Sequence, residues 1–226
     1  MTTSHTAPKV GIVVVSYNAL AYARKMLASV RRTTGVDFEI TVVDNQSSLR
    51  TRLWWTAQRY LGRINRLVLL DQNTFFAEGS NIGAAATSRD ATHILLLNTD
   101  CEVLDPAWLT RLLAVHQEGA TGLRHIPSGA WPRADGFCLL VDRHCWGDGL
   151  DESYQWFWAV THLEARLLTG GHTVQAVRDY DDVLVHHGGK SGQAFKEARS
   201  GDTSKKLISS WFEGRHVTVV DRLPPA

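Results

Sequence analysis

The hydrophobic positions of the N-terminal half form short, almost continuous apolar runs, each ended by polar residues. They predict four buried strands, at residues 10–15, 39–44, 66–70 and 93–98. Helical spacing of apolar residues between the runs predicts a helix that Asn18 caps, a helix over 51–61 and a helix from Gly79 to about Arg89. Apolar strands that alternate with helices are typical of a parallel sheet covered on both faces, so an α/β fold is expected.

The C-terminal half is less regular. Residues 122–135 are rich in glycine and proline and are predicted to be a loop, whereas GFCLLVD at 136–142 is predicted to be a strand. The aromatic run YQWFW precedes a helical pattern that Gly170 and Gly171 end. A helix around 204–213 and a strand at HVTVVD are expected near the C-terminus.

Polar side chains follow each of the four predicted strands. They are Ser16 and Asn18, then Asp44, Asn45 and Ser47, then Asn73, and finally Asn98 and Asp100. The carboxyl ends of parallel strands meet at one edge of a sheet, where open α/β sheets bind ligands. The sequence therefore predicts a ligand site at this edge.

The composition excludes several classes of protein. A net charge of +1 gives no indication of nucleic-acid binding across the whole chain. Cys101, Cys138 and Cys145 show no zinc or redox spacing and no secretory leader is evident, so a reducing cytoplasmic location is expected. The longest apolar runs are too short to span a bilayer.

Six stretches, taken in order, resemble the family-two inverting glycosyltransferases of the GT-A fold, in particular those of the rhamnosyl- and galactofuranosyltransferase type. They are VVVSYNA, VVDNQSS, NTFFAEGSNIGAA, LLLNTDCEV, GFCLLVDR and VHHGGKSG. The resemblance implies a single GT-A domain over residues 1–226. Its expected parts are a nucleotide-binding half at 1–98, a metal and acceptor half at 99–192 and a C-terminal tail at 193–226.

The resemblance also implies a site for a nucleotide-diphosphate sugar, with UDP or dTDP as the nucleotide. Asp44 matches the family's carboxylate that contacts the base or ribose. The other expected nucleotide contacts are Ser16, Asn18, Asn45, Ser47, Asn73, Gly79, Asn81 and Asn98. Small residues at a helix N-terminus would let backbone donors approach such a ligand. Phe75 stands where the family usually has glycine, so this turn departs from the pattern.

Asn98-Thr99-Asp100 resembles the D-x-D element that holds a divalent cation against the donor diphosphate. Asp100 is then the expected metal ligand and His186, at the head of HHGGKS, its partner, with Lys190 and Ser191 near the diphosphate. Oxygen and imidazole ligands suit Mn²⁺, and oxygen ligands suit Mg²⁺. Without the other motifs, the same residues would indicate only a polar turn after a strand.

One departure concerns the general base that an inverting transfer needs. Alignment on the aromatic run replaces the family's acidic pair by Ala159 and Val160, which accept no proton. His162 is one candidate for the base; Glu164, Asp135 and Asp151 are others. In the remaining alternative, the protein is catalytically silent and only binds a nucleotide sugar.

The segment between Asp100 and Gly136 is short for the family, which implies an open acceptor cleft. Trp131, Trp156 and Trp158 are candidate platforms for sugar rings, although core packing is their alternative role. The expected acceptor is a glycan, a protein, a polymer or a natural product with a free hydroxyl. A nucleotidyltransferase is disfavoured because SYNALAYARK is not a glycine-rich loop for a triphosphate.

Overall fold

The computed structural model of the chain describes residues 7–127, 132–189 and 205–225. Its strands are β1 (Lys9–Ser16), β2 (Asp37–Asp44), β3 (Arg66–Leu69), β4 (His93–Leu97), β5 (Cys101–Val103), β6 (Gly119–Leu123), β7 (His125–Ile126), β8 (Arg133–Ala134), β9 (Cys138–Asp142), β10 (Thr173–Asp179), β11 (Leu184–His186) and β12 (Thr218–Arg222). The helices are α1 (Leu20–Val30), α2 (Leu49–Tyr60), α3 (Phe75–Ala86), α4 (Trp108–Val115), α5 (Arg143–Trp146), α6 (Phe157–Thr169) and α7 (Lys205–Phe212).

Eight strands form the main sheet, in the order β12-β10-β6-β9-β4-β1-β2-β3. All neighbours pair in parallel except β9, which is antiparallel to both β4 and β6. Helices cover both faces, since Trp55 of α2 packs in one core with Ile12, and Leu163 of α6 packs in the other with Val13. The predicted α/β fold with a mostly parallel sheet is confirmed.

Strand β6 was not predicted, because it lies partly in the segment expected to be a loop. Its sequence, GATGL, contains two glycines and no Val or Ile, so its local strand signal is weak. Tertiary contacts explain the strand: a Cβ at Gly122 would lie 2.6 Å from the Ala134 Cβ and 3.0 Å from Leu139. Glycine is therefore required where β8 and β9 approach this strand.

Two helix starts also differ from their predictions. Asn18 does not cap α1; it has a φ of 52°, and its Oδ1 accepts a hydrogen bond from the Ser48 N–H at 2.7 Å. Helix α3 begins at Phe75, four positions before Gly79, and ends at Ala86. No helix in the described ranges is both long and apolar enough to cross a membrane.

A small antiparallel sheet of β5 and β11 extends from the carboxyl edge of the main sheet. Its register places His186 opposite Cys101 and Leu184 opposite Val103. This pairing brings residues 184–186 next to residues 101–103, beside the end of β4.

Candidate functional site

Hydrogen bonds join the ends of β1 and β2 at the carboxyl edge of the sheet. Ser47 Oγ accepts from the Asn18 N–H at 3.0 Å and lies 3.4 Å from the Ser16 carbonyl oxygen. Ser16 Oγ accepts from the Trp55 indole N–H at 2.8 Å. The structure thus brings Ser16, Asn18 and Ser47 together, as predicted for this edge, and uses their side chains to hold the edge in shape.

Asp44 is the buried carboxylate of this edge. One oxygen, Oδ1, accepts from the Ser47 N–H at 3.0 Å, and Oδ2 has no hydrogen-bond partner among the described residues. Burial raises the pKa of Asp44, although the Ser47 hydrogen bonds oppose the shift. Since a buried acceptor without a partner is costly, Asp44 is suited to accept an N–H or O–H from a ligand.

Asn45 and Asn73 shape the turn before α3. Asn45 Oδ1 accepts from the Thr74 N–H and its Nδ2 donates to the Phe75 carbonyl, both at 2.8 Å. Asn73 Oδ1 accepts from the Phe75 N–H at 2.8 Å, but its Nδ2 has no partner within the described segments. Asn73 therefore offers an amide donor, whereas Asn45 is occupied by the turn.

The backbone donors at the start of α3 are occupied by protein. Gln155 Oε1 accepts from the N–H groups of Phe76, at 3.1 Å, and Ala77, at 3.2 Å. In this structure a side chain that precedes α6 thus caps the helix at the place where the sequence predicts a ligand. Sequence reasoning missed Gln155, since 78 and 79 positions separate it from its partners.

Gly79 and Asn81 connect α3 to the rest of the protein. A Cβ at Gly79 would lie 3.1 Å from Val15 Cγ1. Asn81 Oδ1 accepts from the Leu150 N–H at 2.8 Å, and its Nδ2 donates to the Leu150 carbonyl and to Glu152, both at 2.9 Å. Helix packing and attachment of the 150–152 segment account for both residues without a ligand.

Asp100 and His186 form the candidate metal pair. His186 Nε2 lies 3.4 Å from Asp100 Oδ1, and the His186 ring stacks on Phe137 with centroids 4.2 Å apart. Asp100 is fully buried, and neither His186 ring nitrogen has a hydrogen-bond partner among the residues described. An oxygen donor and an imidazole nitrogen facing each other fit Mn²⁺.

The turn at Asn98 positions this pair. The Asn98 N–H donates to the Phe137 carbonyl at 2.8 Å, and the Asn98 carbonyl accepts from the Cys101 N–H at 3.2 Å. The His187 N–H donates to the Asp100 carbonyl at 2.9 Å, which ties β11 to the same turn. The partly exposed Asn98 thus lies between the end of β4 and the candidate metal pair.

Val160 and Ala159, which the sequence resemblance aligns with an acidic pair, lie buried in the first turns of α6. A Cβ at Gly136 would lie 2.6 Å from Val160 Cγ2, so the helix packs directly on the segment that leads into β9. These two positions present an apolar surface to that segment.

His162 lies on the side of α6 that faces α7. Its ring is 5.0 Å from the Trp211 ring and 5.3 Å from that of Tyr154. Its Nδ1 lies 3.9 Å from Asp151 Oδ2. Burial lowers the pKa of His162, and the Asp151 charge opposes that shift. His162 therefore packs in an aromatic cluster with Tyr154 and Trp211, and Asp151 lies beside it.

Glu164 is fully buried on α6. Burial raises its pKa well above the usual range, although Arg133 and the Ala134 backbone N–H oppose the shift. The Arg133 guanidinium also lies 5.7 Å from the Trp158 ring. Because the protein encloses the Glu164 carboxyl group completely, it does not face an acceptor in solvent, so Glu164 is poorly suited to act as a base.

Asp135, another candidate base, directly follows β8 in the segment that leads to β9. It stands two positions before Phe137, whose ring covers His186. Burial raises the pKa values of Cys101 and Tyr180, and the Asp135 carboxylate adds to both shifts. Arg124 Nη1 lies 3.4 Å from Asp135 Oδ2, so a cation orients the carboxylate.

The predicted acceptor platforms have different surroundings. Trp156 is partly exposed, directly before α6, with a φ of 49°. Trp158 packs against the core beside Arg133, which covers part of its face. Trp131, like Lys190 and Ser191, lies outside the described residues.

The model of glycosyl transferase family 2 matches residues 11–129. The chain belongs to glycosyl transferase family 2. The matched segment contains Asp44, Asn98 and Asp100, and it ends before Asp135 and His186. The family resemblance of the sequence is confirmed, whereas its rhamnosyl and galactofuranosyl subtype stays a prediction.

The chain is similar to a curated protein, the uncharacterized protein y4gI of Sinorhizobium fredii (strain NBRC 101917 / NGR234). It is 33% identical over 116 residues, which are 51% of this chain and 13% of the relative. The chain therefore spans a small part of the relative's length.

Solved glycosyltransferases share the fold at low identity. The mannosyltransferase PcManGT from Pyrobaculum calidifontis, in complex with GDP-Man and Mn²⁺, has a TM-score of 0.65 and 18% identity over 80% of this chain and 57% of that one. S. aureus TarS 1–349 with UDP has a TM-score of 0.55 and 14% identity, over 70% of this chain and 54% of that one. GalNAc-T7 with UDP, GalNAc and Mn²⁺ has a TM-score of 0.54 and 14% identity, over 68% of this chain and 39% of that one.

Proposed function

We propose that the chain transfers a hexosyl or deoxyhexosyl group from a nucleotide-diphosphate sugar to a hydroxyl acceptor, with inversion at the anomeric carbon. The observation that carries the proposal is the Asp100–His186 pair, 3.4 Å apart beside the carboxyl edge that also holds the buried Asp44. Family membership and the fold shared with sugar-transferring enzymes support the reaction class.

Asp44 would bind the nucleotide. Its Oδ2 has no partner in the described part of the chain and accepts hydrogen bonds when ionised. The N3–H of uracil or thymine, or a ribose hydroxyl, is a donor of the required kind. Asn73 Nδ2 would add a donor at the same edge. UDP and dTDP are the nucleotides we expect.

Asp100 and His186 would hold a divalent cation, for which Mn²⁺ fits the mixed oxygen and nitrogen donors. The solved structures of two proteins of the same fold, PcManGT and GalNAc-T7, contain Mn²⁺. A cation bound there supplies charge neutralisation for the departing nucleotide diphosphate. The Phe137 ring fixes the orientation of the His186 imidazole by stacking on it.

Asp135 is the residue we propose as general base. Its carboxylate would accept the proton of the acceptor hydroxyl while that oxygen attacks the anomeric carbon. Its neighbours Cys101 and Tyr180 belong to the metal side of the sheet, whereas His162 packs against Trp211. The partly exposed Trp156 would contact an acceptor glycan, protein, polymer or natural product.

A second candidate function is a catalytically silent protein that binds a nucleotide sugar. The apolar, buried Ala159 and Val160 favour it, because the family places acidic residues at these positions. Donor turnover separates the two functions, since both need the nucleotide site.

The first test is calorimetric titration of the full chain with UDP, dTDP and GDP, each with and without Mn²⁺. Mn²⁺-dependent binding of UDP or dTDP supports the donor site, and binding of GDP alone contradicts the nucleotide assignment. The protein is then incubated with UDP- and dTDP-sugars and candidate acceptors, and nucleoside diphosphate release is measured. Release supports the transferase, whereas nucleotide binding without release for any acceptor supports the silent protein. Absence of binding contradicts both.

A further inference from the structure

Four side chains with metal-binding atoms converge at the edge of the sheet opposite the candidate site. Glu118 directly precedes β6 and His172 directly precedes β10, while His144 and Cys145 lie in α5. Because β9 is antiparallel to β6, its last residues and α5 reach the same edge as the starts of β6 and β10. The fold therefore collects residues from three separate parts of the chain.

The ligand atoms lie close together. His144 Nε2 is 3.0 Å from Glu118 Oε1 and 3.3 Å from Cys145 Sγ. His172 Nδ1 is 3.6 Å from Cys145 Sγ and 3.6 Å from Glu118 Oε1. The Glu118 oxygen, the His144 nitrogen and the Cys145 sulfur thus form a compact group, and His172 lies beside the oxygen and the sulfur.

The four separations given above are close to those between the ligands of a tetrahedral zinc site. With Zn–S of about 2.3 Å and Zn–N of about 2.0 Å, nitrogen and oxygen ligands lie about 3.3 Å apart, and sulfur lies about 3.6 Å from them. A set with a thiolate and two imidazoles favours Zn²⁺ over Mg²⁺ or Ca²⁺, which bind oxygen. We propose that Glu118, His144 and Cys145 bind a zinc ion and that His172, beside Glu118 and Cys145, supplies the fourth ligand when the ion binds.

The exposure of the cluster agrees with this assignment. The Glu118 and His144 side chains are 66% and 63% exposed, so burial does not force them together. Cys145 is 7% exposed and forms the base of the cluster. The cation has an entry path from solvent, and its binding as a thiolate complex releases the Cys145 proton to water.

The neighbouring group of His93, His116 and Asp142 has a different character. His116 Nδ1 bonds to Thr121 Oγ1 at 2.8 Å, and its Nε2 bonds to Asp142 Oδ2 at 3.0 Å. Asp142 Oδ2 also accepts from the Gly119 N–H at 2.7 Å. Both His116 ring nitrogens and this Asp142 oxygen are thus hydrogen-bonded without a cation. They tie the turn that carries Glu118 to the end of β9, which places Glu118 opposite His144.

The zinc site is distinct from the candidate active site. Strand β4, of five residues, separates the two edges by about 17 Å. Bound zinc would join α5 to the starts of β6 and β10, and its effect would be measured as stability of the fold rather than as donor binding.

The test uses the full chain after removal of metals by a chelator and dialysis. We expect stoichiometric Zn²⁺ binding, a higher melting temperature with Zn²⁺, and a thiolate-to-metal charge-transfer band in the near ultraviolet with Co²⁺. Cys145→Ser should abolish the band. His144→Ala should weaken Zn²⁺ binding by about 100-fold or more, since even changes next to metal ligands cost about 10- to 100-fold.

His187 supplies a matched control, because His187→Ala removes an imidazole at the opposite edge of the sheet, beside Asp100, and should change neither signal. His144 is exposed enough that its replacement should leave the fold intact, so the test holds even when Cys145→Ser is unstable. The proposal is overturned when Zn²⁺ does not bind stoichiometrically, when His144→Ala binds as the parent does, or when only His93→Ala abolishes binding.

Discussion

His186 Nε2 lies 3.4 Å from Asp100 Oδ1 because β11 pairs antiparallel with β5 and sets His186 opposite Cys101. Strand pairing thus joins two residues that are 86 positions apart in the sequence. The stacked Phe137 ring closes the other side of the imidazole.

Replacement of Asp100 by Ala or of His186 by Ala should remove the Mn²⁺-dependent part of nucleotide affinity, since each variant loses one of the two donors. Calorimetric titration with UDP or dTDP, with and without Mn²⁺, measures the effect. His187→Ala is the matched control, because the His187 Nε2 bonds to Glu102 at 3.1 Å. Equal loss in the control would count against the pair.

Asp135→Asn should lower turnover by about 10²- to 10⁴-fold, the usual contribution of a general base, and leave nucleotide affinity unchanged. His162→Ala should retain most turnover, because its ring lies among Tyr154 and Trp211. Steady-state rates of nucleoside diphosphate release test both. A large loss in His162→Ala alone would transfer the role of base to His162.

Gln155→Ala should lower the free energy of unfolding by about 1–2 kcal/mol, because it leaves the Phe76 and Ala77 N–H groups at the start of α3 without their acceptor. Urea denaturation measures the change. Gln72→Ala, at an exposed position, should change stability by less than about 0.5 kcal/mol. Similar losses for the two variants would show that the cap is unimportant.

Glu164 should make the fold less stable as pH rises. Its folded-state pKa is raised by burial, so the folded state binds the proton more tightly than the unfolded state, whose Glu pKa is near 4.5. Between these two pKa values the stability falls by up to about 1.4 kcal/mol per pH unit. Glu164→Gln should remove this slope in urea titrations from pH 5 to about pH 8.

The exposed Glu213 provides the comparison, because Glu213→Gln should leave the pH dependence of the parent almost unchanged. An unchanged slope in Glu164→Gln would mean that the Glu164 carboxylate is ionised in the folded protein and stabilised by Arg133.

Local pattern was sufficient for the elements whose burial is continuous along the chain. Strands β1, β2 and β4 were predicted because nearly every residue faces a core on one side of the sheet or the other. Strand β6 was missed because Gly119 and Gly122 are selected by close neighbours in space. The start of α3 was also missed, because its first N–H groups donate to Gln155, which is far away in the sequence.

The sequence by itself determined the family, the mostly parallel α/β fold and the edge where Asp44 and Asp100 lie, since apolar runs and strand-end residues are local signals. Only the tertiary structure decided which polar groups are already occupied. It shows that Asn81 binds Leu150 and that Asp44 Oδ2 lacks a partner among the described residues. Cysteine spacing gave no sign of a zinc site, because Glu118, His144 and His172 reach Cys145 through strand order and direction, which are non-local properties.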